Sequence, residues 1–299
     1  MATAVGLTTT VELSASAPGG CTQIWGVLNV TPDSFSDGGR FLEAQRAIEH
    51  GRRMLAQGAH VIDVGGASSR PRGQLYGEGA AAVDAGEERA RVVPVVRALV
   101  QELGATVSID TTSAEVAAAA LDAGARIVND VSCGRSDALV DLVAERGADY
   151  VLMHTRGAGE VVPDNTCYGD VVLEVRDELM AAVARAGERG VVPERVWLDP
   201  GIGFAKTSAQ SLALLAGTAR LVETGHRVLV GPSRKGFIAE TAALPDGERP
   251  GPDAREAGTA AAVTAAVLHG ADAVRVHDVA GMRQAALVAA GMRAAGGRA

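Results

Sequence analysis

Cysteine, aromatic residues and long apolar runs are all scarce in this chain of 299 residues. The three cysteines, Cys21, Cys133 and Cys167, form no C-x-x-C pair, which argues against a disulfide framework or a structural zinc site and favours a reducing compartment, the cytoplasm. No run reaches the roughly 18 apolar residues of a membrane span. Residues 1–20 contain neither Lys nor Arg nor an apolar signal segment, and we interpret them as a flexible N-terminal extension. We therefore expect no membrane partner.

An excess of positive charge is missing as well. The formal net charge is −8, so the chain has no general attraction for nucleic acid or for an anionic surface. An anionic ligand would have to be held by a local cluster of cations against this overall field. We expect small-molecule partners and no nucleic acid.

The chain is rich in apolar residues, 47% of the total, and most of them are Ala, Val and Leu. This composition suits short buried strands that alternate with alanine-rich helices, and the length fits one barrel domain of about 250 residues with additions. The predicted strands are residues 24–28, 60–64, 106–109, 126–128, 150–153, 196–198, 228–230 and 273–276. The predicted helices are residues 44–55, 87–103, 114–123, 138–145, 171–189 and 258–268.

This α/β alternation is typical of a (β/α)8 barrel, but an open, doubly wound sheet shares it, so the pattern leaves both architectures open. Two long connections interrupt the alternation. Residues 68–86 follow the second strand and are a candidate active-site loop, whereas residues 244–254 look like a decoration of a later connection.

Polar residues stand at the end of one predicted strand after another. In a parallel barrel these positions converge on a single mouth, where such enzymes build their active sites. One Asp at a strand end is as often a helix N-cap as a ligand contact, but a whole series is harder to explain in that way. The series consists of Asn29, Asp63, Asp110, Asn129, Asp130, His154, Asp199, Ser233, Arg234, Lys235, Arg275 and His277.

Three segments within this series resemble signatures of the dihydropteroate synthases, a family of pterin-binding barrels. They read N-V-T-P-D-S-F-S-D-G-G at residues 29–39, D-P-G-I-G-F at 199–204 and G-P-S-R-K at 231–235. Shorter matches lie at residues 63–66, 108–111, 129–131, 153–154 and 275–279, in the same order. The resemblance implies a single-domain (β/α)8 TIM barrel over residues 21–297, and a homodimer.

A pterin pocket is the first site that the resemblance implies. A reduced pterin presents a guanidine-like edge of N–H donors, which requires carboxylate and amide acceptors at fixed positions. By resemblance, Asp110, Asn129 and Asp199 line this pocket, and Lys235 reaches the other side of the ring system.

The second site that the resemblance implies binds pyrophosphate. The leaving group concentrates negative charge, which local cations and a metal stabilise as its bond breaks. Arg275 and His277 stand two residues apart and therefore face the same side, so we expect both to offer a cation to the mouth. The resemblance adds Ser69 and Arg70 from the second loop.

The implied activity is a transferase reaction of folate biosynthesis. It condenses 6-hydroxymethyl-7,8-dihydropterin pyrophosphate with p-aminobenzoate to give 7,8-dihydropteroate and pyrophosphate, by an SN1-like substitution in which Lys235, Arg275 and His277 take part. The implied cofactor is Mg²⁺ on Asn29, since an amide oxygen suits a metal that keeps most of its waters. On the aryl-amine side the resemblance places Pro32, Phe35, Pro71, Phe204 and Gly236.

Several residues depart from the family's usual pattern, and all are close to the amine side. Ala67 replaces a glutamate, Ser69 a threonine and Arg72 a glycine, while Ala205 and Gly236 stand where glycine and serine are usual. The choice of amine and the sensitivity to sulfonamides therefore stay open. A specialised paralogue that uses another aryl amine and a non-catalytic pterin-binding protein are the alternatives.

Overall fold

Residues 22–30, 39–67 and 83–296 are described by a computed structural model of the chain. Eight parallel strands, β1 to β8, pair in sequential order, and β8 pairs with β1 to close the barrel. Helices follow the strands, so the predicted (β/α)8 TIM barrel with one domain is confirmed and an open sheet is excluded. The proposed extension at residues 1–20 lies outside the described residues.

All eight predicted strands are present, and their ends differ from the predictions by no more than two residues. The strands are β1 Gln23–Asn29, β2 Val61–Gly65, β3 Val107–Asp110, β4 Ile127–Asp130, β5 Asp149–Met153, β6 Val196–Asp199, β7 Arg227–Val230 and β8 Ala273–Val276.

The helices include several that the sequence patterns did not predict. They are α1 Gly39–Ala56, α2 Ala85–Leu103, α3 Ala114–Asp122, α4 Asp137–Arg146, α5 Val171–Glu188, α6 Ser208–Ala216, α7 Ala219–Val222, α8 Gly236–Thr241, α9 Glu256–Leu268 and α10 Val279–Gly296. The predictions missed α6, α7, α8 and α10, although α6 carries a sequence signal, a capping box between Thr207 and Gln210. Among the described helices, none combines the length and the apolar character that a membrane span requires.

The barrel interior is filled at the end where the strands begin. The rings of Trp25 and Trp197 pack edge to face with centroids 5.1 Å apart. Arg227 stacks over Trp197 and pairs with Asp149 across 3.2 Å. The surrounding apolar layer consists of Val61, Ile127, Val151, Leu229 and Ala273. This packing leaves the carboxyl ends of the strands as the face where a ligand can enter the barrel.

Candidate active site

The strand-end residues lie on one rim of the barrel because all eight strands are parallel. The helices that follow are capped by other side chains, namely Asp84, Ser113, Ser136, Asp170 and Thr207. Asp110, Asn129 and Asp199 are therefore not needed as helix caps. Asp130 has a structural role instead, since it accepts hydrogen bonds from the Tyr150 hydroxyl and from two N–H groups of the next turn.

A buried ion-pair network occupies the centre of the mouth. Arg275 Nη1 donates to Asp63 Oδ2 over 3.1 Å, and Arg275 Nη2 lies 3.8 Å from Asp199 Oδ2. The amide of Asn129 donates to the same Asp63 oxygen over 3.1 Å. All four side chains are buried, so each charge depends on its partners and the arrangement holds their positions.

Three acceptor atoms of this network have no hydrogen-bond partner within the described part of the chain. They are Asp63 Oδ1, Asn129 Oδ1 and Asp199 Oδ2. A buried polar atom left without a partner costs about 1–3 kcal/mol. Three such acceptors in one layer of the barrel suit a ligand that presents several N–H donors.

Asp110 ends β3 beside Asn129 in the strand register. Burial raises the pKa of its carboxyl to about 7, and the negative charge of Asp63 adds to the rise, while Arg275 opposes it. Near neutral pH this carboxyl is therefore divided between its protonated and ionised forms. It can donate a hydrogen bond to a ligand or accept one.

Lys235 stands where β7 leads into α8. Its ammonium donates to the Ile202 carbonyl and lies 4.8 Å from the centroid of the Phe204 ring. Burial lowers the pKa of Lys235 to about 7, although the nearby Asp199 carboxylate acts in the opposite direction. Lys235 thus connects the end of β7 with the loop that follows β6.

His277 departs from the expectation of two cations after β8. Burial lowers its pKa to about 4, and the neighbouring Arg234, Arg275 and Lys235 lower it further, so the imidazole of the free protein is neutral at neutral pH. Its Nδ1 lies 2.9 Å from Ser233 Oγ, which can give its proton to that nitrogen. His277 therefore offers an Nε2–H donor, while Arg275 alone supplies the charge.

Residues 244–254 are more than a decoration of the barrel. Arg234 has a left-handed backbone conformation with φ 59°, and its guanidinium pairs with Asp253 across 2.9 Å and with Glu256 across 2.6 Å. Arg234 is therefore engaged by the connection that follows α8. The pairing fixes the turn that carries Ser233 and Lys235.

Asn29 ends β1 with an exposed side chain, next to Gly65 in the strand register. A side chain at position 65 would approach Asn29 Oδ1 to 3.7 Å, so the glycine leaves room beside this oxygen. No group of three His, Cys, Asp or Glu suited to a metal occurs in residues 22–30, 39–67 and 83–296. One amide oxygen completed by water and substrate phosphates still fits Mg²⁺, which keeps several waters in such sites.

The structure describes only some of the residues predicted for the aryl-amine side. Phe204 is buried beneath Lys235, and Gly236 is buried as the first residue of α8. Ala205 has φ 48°, a conformation that suits the glycine usual in the family better than alanine. The other predicted residues lie outside the described ranges: Pro32, Phe35, Ser69, Arg70, Pro71 and Arg72.

Two residues of the site received no role in the sequence analysis. Asp63 appeared there as one strand-end residue among others, yet it pairs with both Arg275 and Asn129. Lys206 did not appear at all, yet it is fully buried beside His154. Its position two residues after the D-P-G-I-G-F segment was the available signal.

Comparisons with known proteins agree on the kind of molecule that this site resembles. Residues 25–277 match the family described as pterin binding enzyme. A dihydropteroate synthase from Mycobacterium leprae is 51% identical over 259 residues, which cover 86% of this chain and 88% of the relative.

Solved structures give the same result. A Xanthomonas albilineans dihydropteroate synthase with 4-aminobenzoic acid is 40% identical with a TM-score of 0.80, over 92% of this chain and 94% of that one. The Xanthomonas albilineans dihydropteroate synthase in complex with 7,8-dihydropteroate is 37% identical with a TM-score of 0.77, over 93% and 96% of the two chains.

Proposed function

This chain belongs to the dihydropteroate synthases of the pterin-binding enzyme family, and we propose that it joins 6-hydroxymethyl-7,8-dihydropterin pyrophosphate to p-aminobenzoate. The products are 7,8-dihydropteroate and pyrophosphate, as in folate synthesis. Solved relatives hold 4-aminobenzoic acid or 7,8-dihydropteroate, which supports both halves of this assignment.

The observation that carries the proposal is the set of buried acceptors around the Arg275 guanidinium. Asn129 Oδ1 and Asp199 Oδ2 lack partners within the described part of the chain and match the N–H groups on the amino-pyrimidine edge of a pterin. Asp110, with its pKa raised to about 7, suits a ring nitrogen whether or not that nitrogen carries a proton. Lys235 approaches the pocket from the opposite side.

The pyrophosphate end of the substrate belongs near β8. Arg275 supplies a permanent positive charge, and His277 supplies an N–H donor held by Ser233. These groups stabilise the leaving oxygens as the C–O bond breaks. The electron-rich dihydropterin then carries positive charge at its exocyclic methylene, the amine nitrogen attacks that carbon, and the amine loses a proton.

Such a dissociative, SN1-like substitution needs no protein nucleophile, because the aryl amine is mostly unprotonated at neutral pH. The chain's own residues order the two substrates and stabilise the departing anion. When bound through Asn29, Mg²⁺ would neutralise charge on the pyrophosphate.

The test is a pyrophosphate release assay with both substrates and Mg²⁺. We expect release that requires the pterin pyrophosphate and p-aminobenzoate together. Binding of the pterin without release in the presence of any aryl amine would identify a non-catalytic pterin-binding protein.

The departures at the amine side favour a second candidate, a paralogue that takes another aryl amine. Ala67 lacks the carboxylate that the family usually has there, and Gly236 lacks a hydroxyl at the start of α8. A panel of aryl amines in the same assay separates the candidates. The highest kcat/KM should fall on p-aminobenzoate if the first is right.

Homodimerisation in the cytoplasm is the remaining part of the proposal. The outer face of α10 exposes Leu287, Val288 and Met292, and Val288 is 64% exposed. Exposed apolar patches of this kind are typical of subunit interfaces. Light scattering should give the mass of a dimer, and Val288→Asp should shift it towards that of a monomer.

A further inference from the structure

Lys206 is almost completely buried beside the mouth: 1% of it is exposed to solvent, less than for Asp63 or Arg275. Lysine is also rare in this chain, since it accounts for two of the 28 basic residues, Lys206 and Lys235. Lysine is seldom fully buried unless its ammonium is paired. Lys206 belongs to the loop that follows β6, and Lys235 contacts Ile202 and Phe204 of the same loop.

The ammonium of Lys206 finds all its hydrogen-bond acceptors within the protein. Its Nζ lies 2.9 Å from His154 Nδ1, donates to the Phe204 carbonyl over 2.9 Å and to the His154 carbonyl over 3.4 Å. An ammonium has three N–H donors, and these three acceptors match them. Lys206 therefore joins the loop after β6 to the end of β5.

The His154 ring, which accepts from Lys206 at one nitrogen, is hydrogen bonded at its other nitrogen to a residue nearer the surface. His154 Nε2 lies 2.9 Å from Glu178 Oε2, and Glu178 receives further hydrogen bonds from the Arg156 guanidinium. Burial lowers the pKa of His154 to about 4, so the ring is neutral at neutral pH and Nδ1 is free to accept. The chain of contacts runs from α5 at the surface to the Phe204 carbonyl.

The loop that Lys206 holds has an irregular backbone. Gly201, Gly203 and Ala205 all have positive φ values, of 64°, 81° and 48°. A Cβ atom on Gly201 would lie 1.9 Å from the His154 carbonyl oxygen, so the loop packs directly against the end of β5. For the glycines this conformation is ordinary, but Ala205 has a side chain and keeps a φ of 48° only where the surrounding contacts fix it.

Different parts of this loop depend on Lys206 to different degrees. Asp199 is anchored independently, because its carbonyl accepts from the His154 backbone and its Oδ1 accepts from the Gly201 N–H. Phe204 is held at its carbonyl by Lys206, and its ring lies under the Lys235 ammonium.

We propose that Lys206 is a positioning residue for the aryl-amine side of the site. Its ammonium fixes the Phe204 carbonyl against the end of β5, and the Phe204 ring and the Lys235 side chain take their relative positions from that anchor. The inference rests on the proposed function for the identity of the amine, but the anchoring itself does not.

The test compares Lys206→Met with Arg227→Met. Both changes replace a cation that packs inside the barrel wall by an apolar side chain, but Arg227 is partly buried and lies at the opposite end of the barrel, over Trp197. With isotopically labelled lysine, the wild type should give two lysine side-chain spectra and Lys206→Met should give that of Lys235 alone. The Phe204 ring should displace the Lys235 ε-CH2 signals from their ordinary position.

We expect Lys206→Met to move the Lys235 signals towards those of free lysine, and Arg227→Met to leave them unchanged. In kinetics, KM for p-aminobenzoate should rise about tenfold in Lys206→Met, because a displaced side chain disturbs substrate alignment. KM for the pterin pyrophosphate should change far less. A folded Lys206→Met with unchanged Lys235 signals would overturn the proposal, and so would an equal rise in both KM values.

The spectroscopic comparison needs no turnover, so a failure of the proposed function and a failure of this inference are distinguishable. If Lys206→Met does not fold, Glu178→Gln replaces it, since Glu178 is partly exposed and its loss weakens the His154 anchor without emptying the core. We expect a smaller displacement of the Lys235 signals in the same direction. No displacement in a folded Glu178→Gln would then count against the proposal.

Discussion

The guanidinium of Arg275 is hydrogen bonded to the Asp63 carboxylate over 3.1 Å, although the two residues are 212 positions apart in the chain. The contact joins β8 to β2 across the barrel interior, close to where the barrel closes between β8 and β1. Neither residue has more than a tenth of its side chain exposed, so the pair is sheltered from water.

Removing one partner of this pair should destabilise the whole barrel. We expect Asp63→Ala to lower the free energy of unfolding by about 3–5 kcal/mol, because the buried Arg275 guanidinium loses the carboxylate to which it is hydrogen bonded and keeps the longer pair with Asp199, at 3.8 Å. Asp253→Ala is the matched control, since Asp253 is 94% exposed and forms an Arg–Asp pair of similar length. Its loss should cost about 0–1 kcal/mol. Denaturant titrations of both variants check the contrast, and equal losses would contradict it.

Asp199 should matter for the pterin more than for stability. Hydrogen bonds to a charged group contribute about 1.5–3 kcal/mol, so Asp199→Asn should lower kcat/KM for the pterin pyrophosphate about tenfold to a hundredfold. Asp149→Asn alters a buried, ion-paired carboxylate at the other end of the barrel and should leave that ratio unchanged. An unchanged kcat/KM in Asp199→Asn would mean that the pterin binds elsewhere.

Asn29 can be tested by the metal requirement of the reaction. Asn29→Ala should raise the Mg²⁺ concentration for half-maximal turnover about tenfold, since it removes the amide oxygen proposed to hold the ion. Asn165→Ala, in the loop after β5, is the control. The assignment fails if both variants respond to Mg²⁺ as the wild type does.

The two lysines should titrate far below the ordinary lysine pKa of 10.5. Burial lowers the pKa of Lys206 and of Lys235 to about 7. Between pH 7 and 10.5 the unfolded chain therefore binds more protons than the folded chain, and these groups make the protein more stable as the pH rises through that window. Side-chain NMR of labelled lysine measures both midpoints directly. Midpoints near 10 would show that the ammonium groups are better solvated than their burial indicates.

The histidines have the corresponding effect in acid. Burial lowers the pKa of His154 and of His277 to about 4 from 6.5, so the unfolded chain binds more protons between these values and stability falls as the pH drops from 6.5 to 4. Asp110 has the opposite effect. Its pKa is raised to about 7, so the folded chain binds more protons at this group and stability rises as the pH drops below 7. Thermal unfolding at several pH values should show a shallower acid loss in His277→Gln. An unchanged slope would mean that His277 is protonated in the folded protein.

Much of the site could be predicted because a parallel barrel brings all its strand ends to one rim. That rule alone brings Asn129, Asp199 and Arg275 together, and the structure confirms that they share one network. The (β/α)8 architecture followed from the same alternation once the matching segments were recognised.

The remainder depends on contacts that no local pattern contains. Lys206 closely follows the D-P-G-I-G-F segment, but its burial and its contact with His154, 52 residues earlier, follow from the fold and not from that segment. The charge of His277 depends on burial and on surrounding cations, which strand spacing does not reveal. Residues 244–254 looked like decoration because the hydrogen bond that Arg234 donates to Asp253 joins residues 19 positions apart, which no local pattern reveals.

The edge-to-face packing of the Trp25 and Trp197 rings has a consequence for the order of events in catalysis. They block the lower end of the barrel, so both substrates and both products must pass through the same rim. The proposed pterin acceptors, Asn129 and Asp199, have no exposure to solvent, whereas Phe204 on the proposed amine side is 8% exposed. An amine bound first beside Phe204 would then obstruct the path of the pterin. We therefore expect the pterin substrate to bind before the amine, and steady-state kinetics with both substrates varied would check this order.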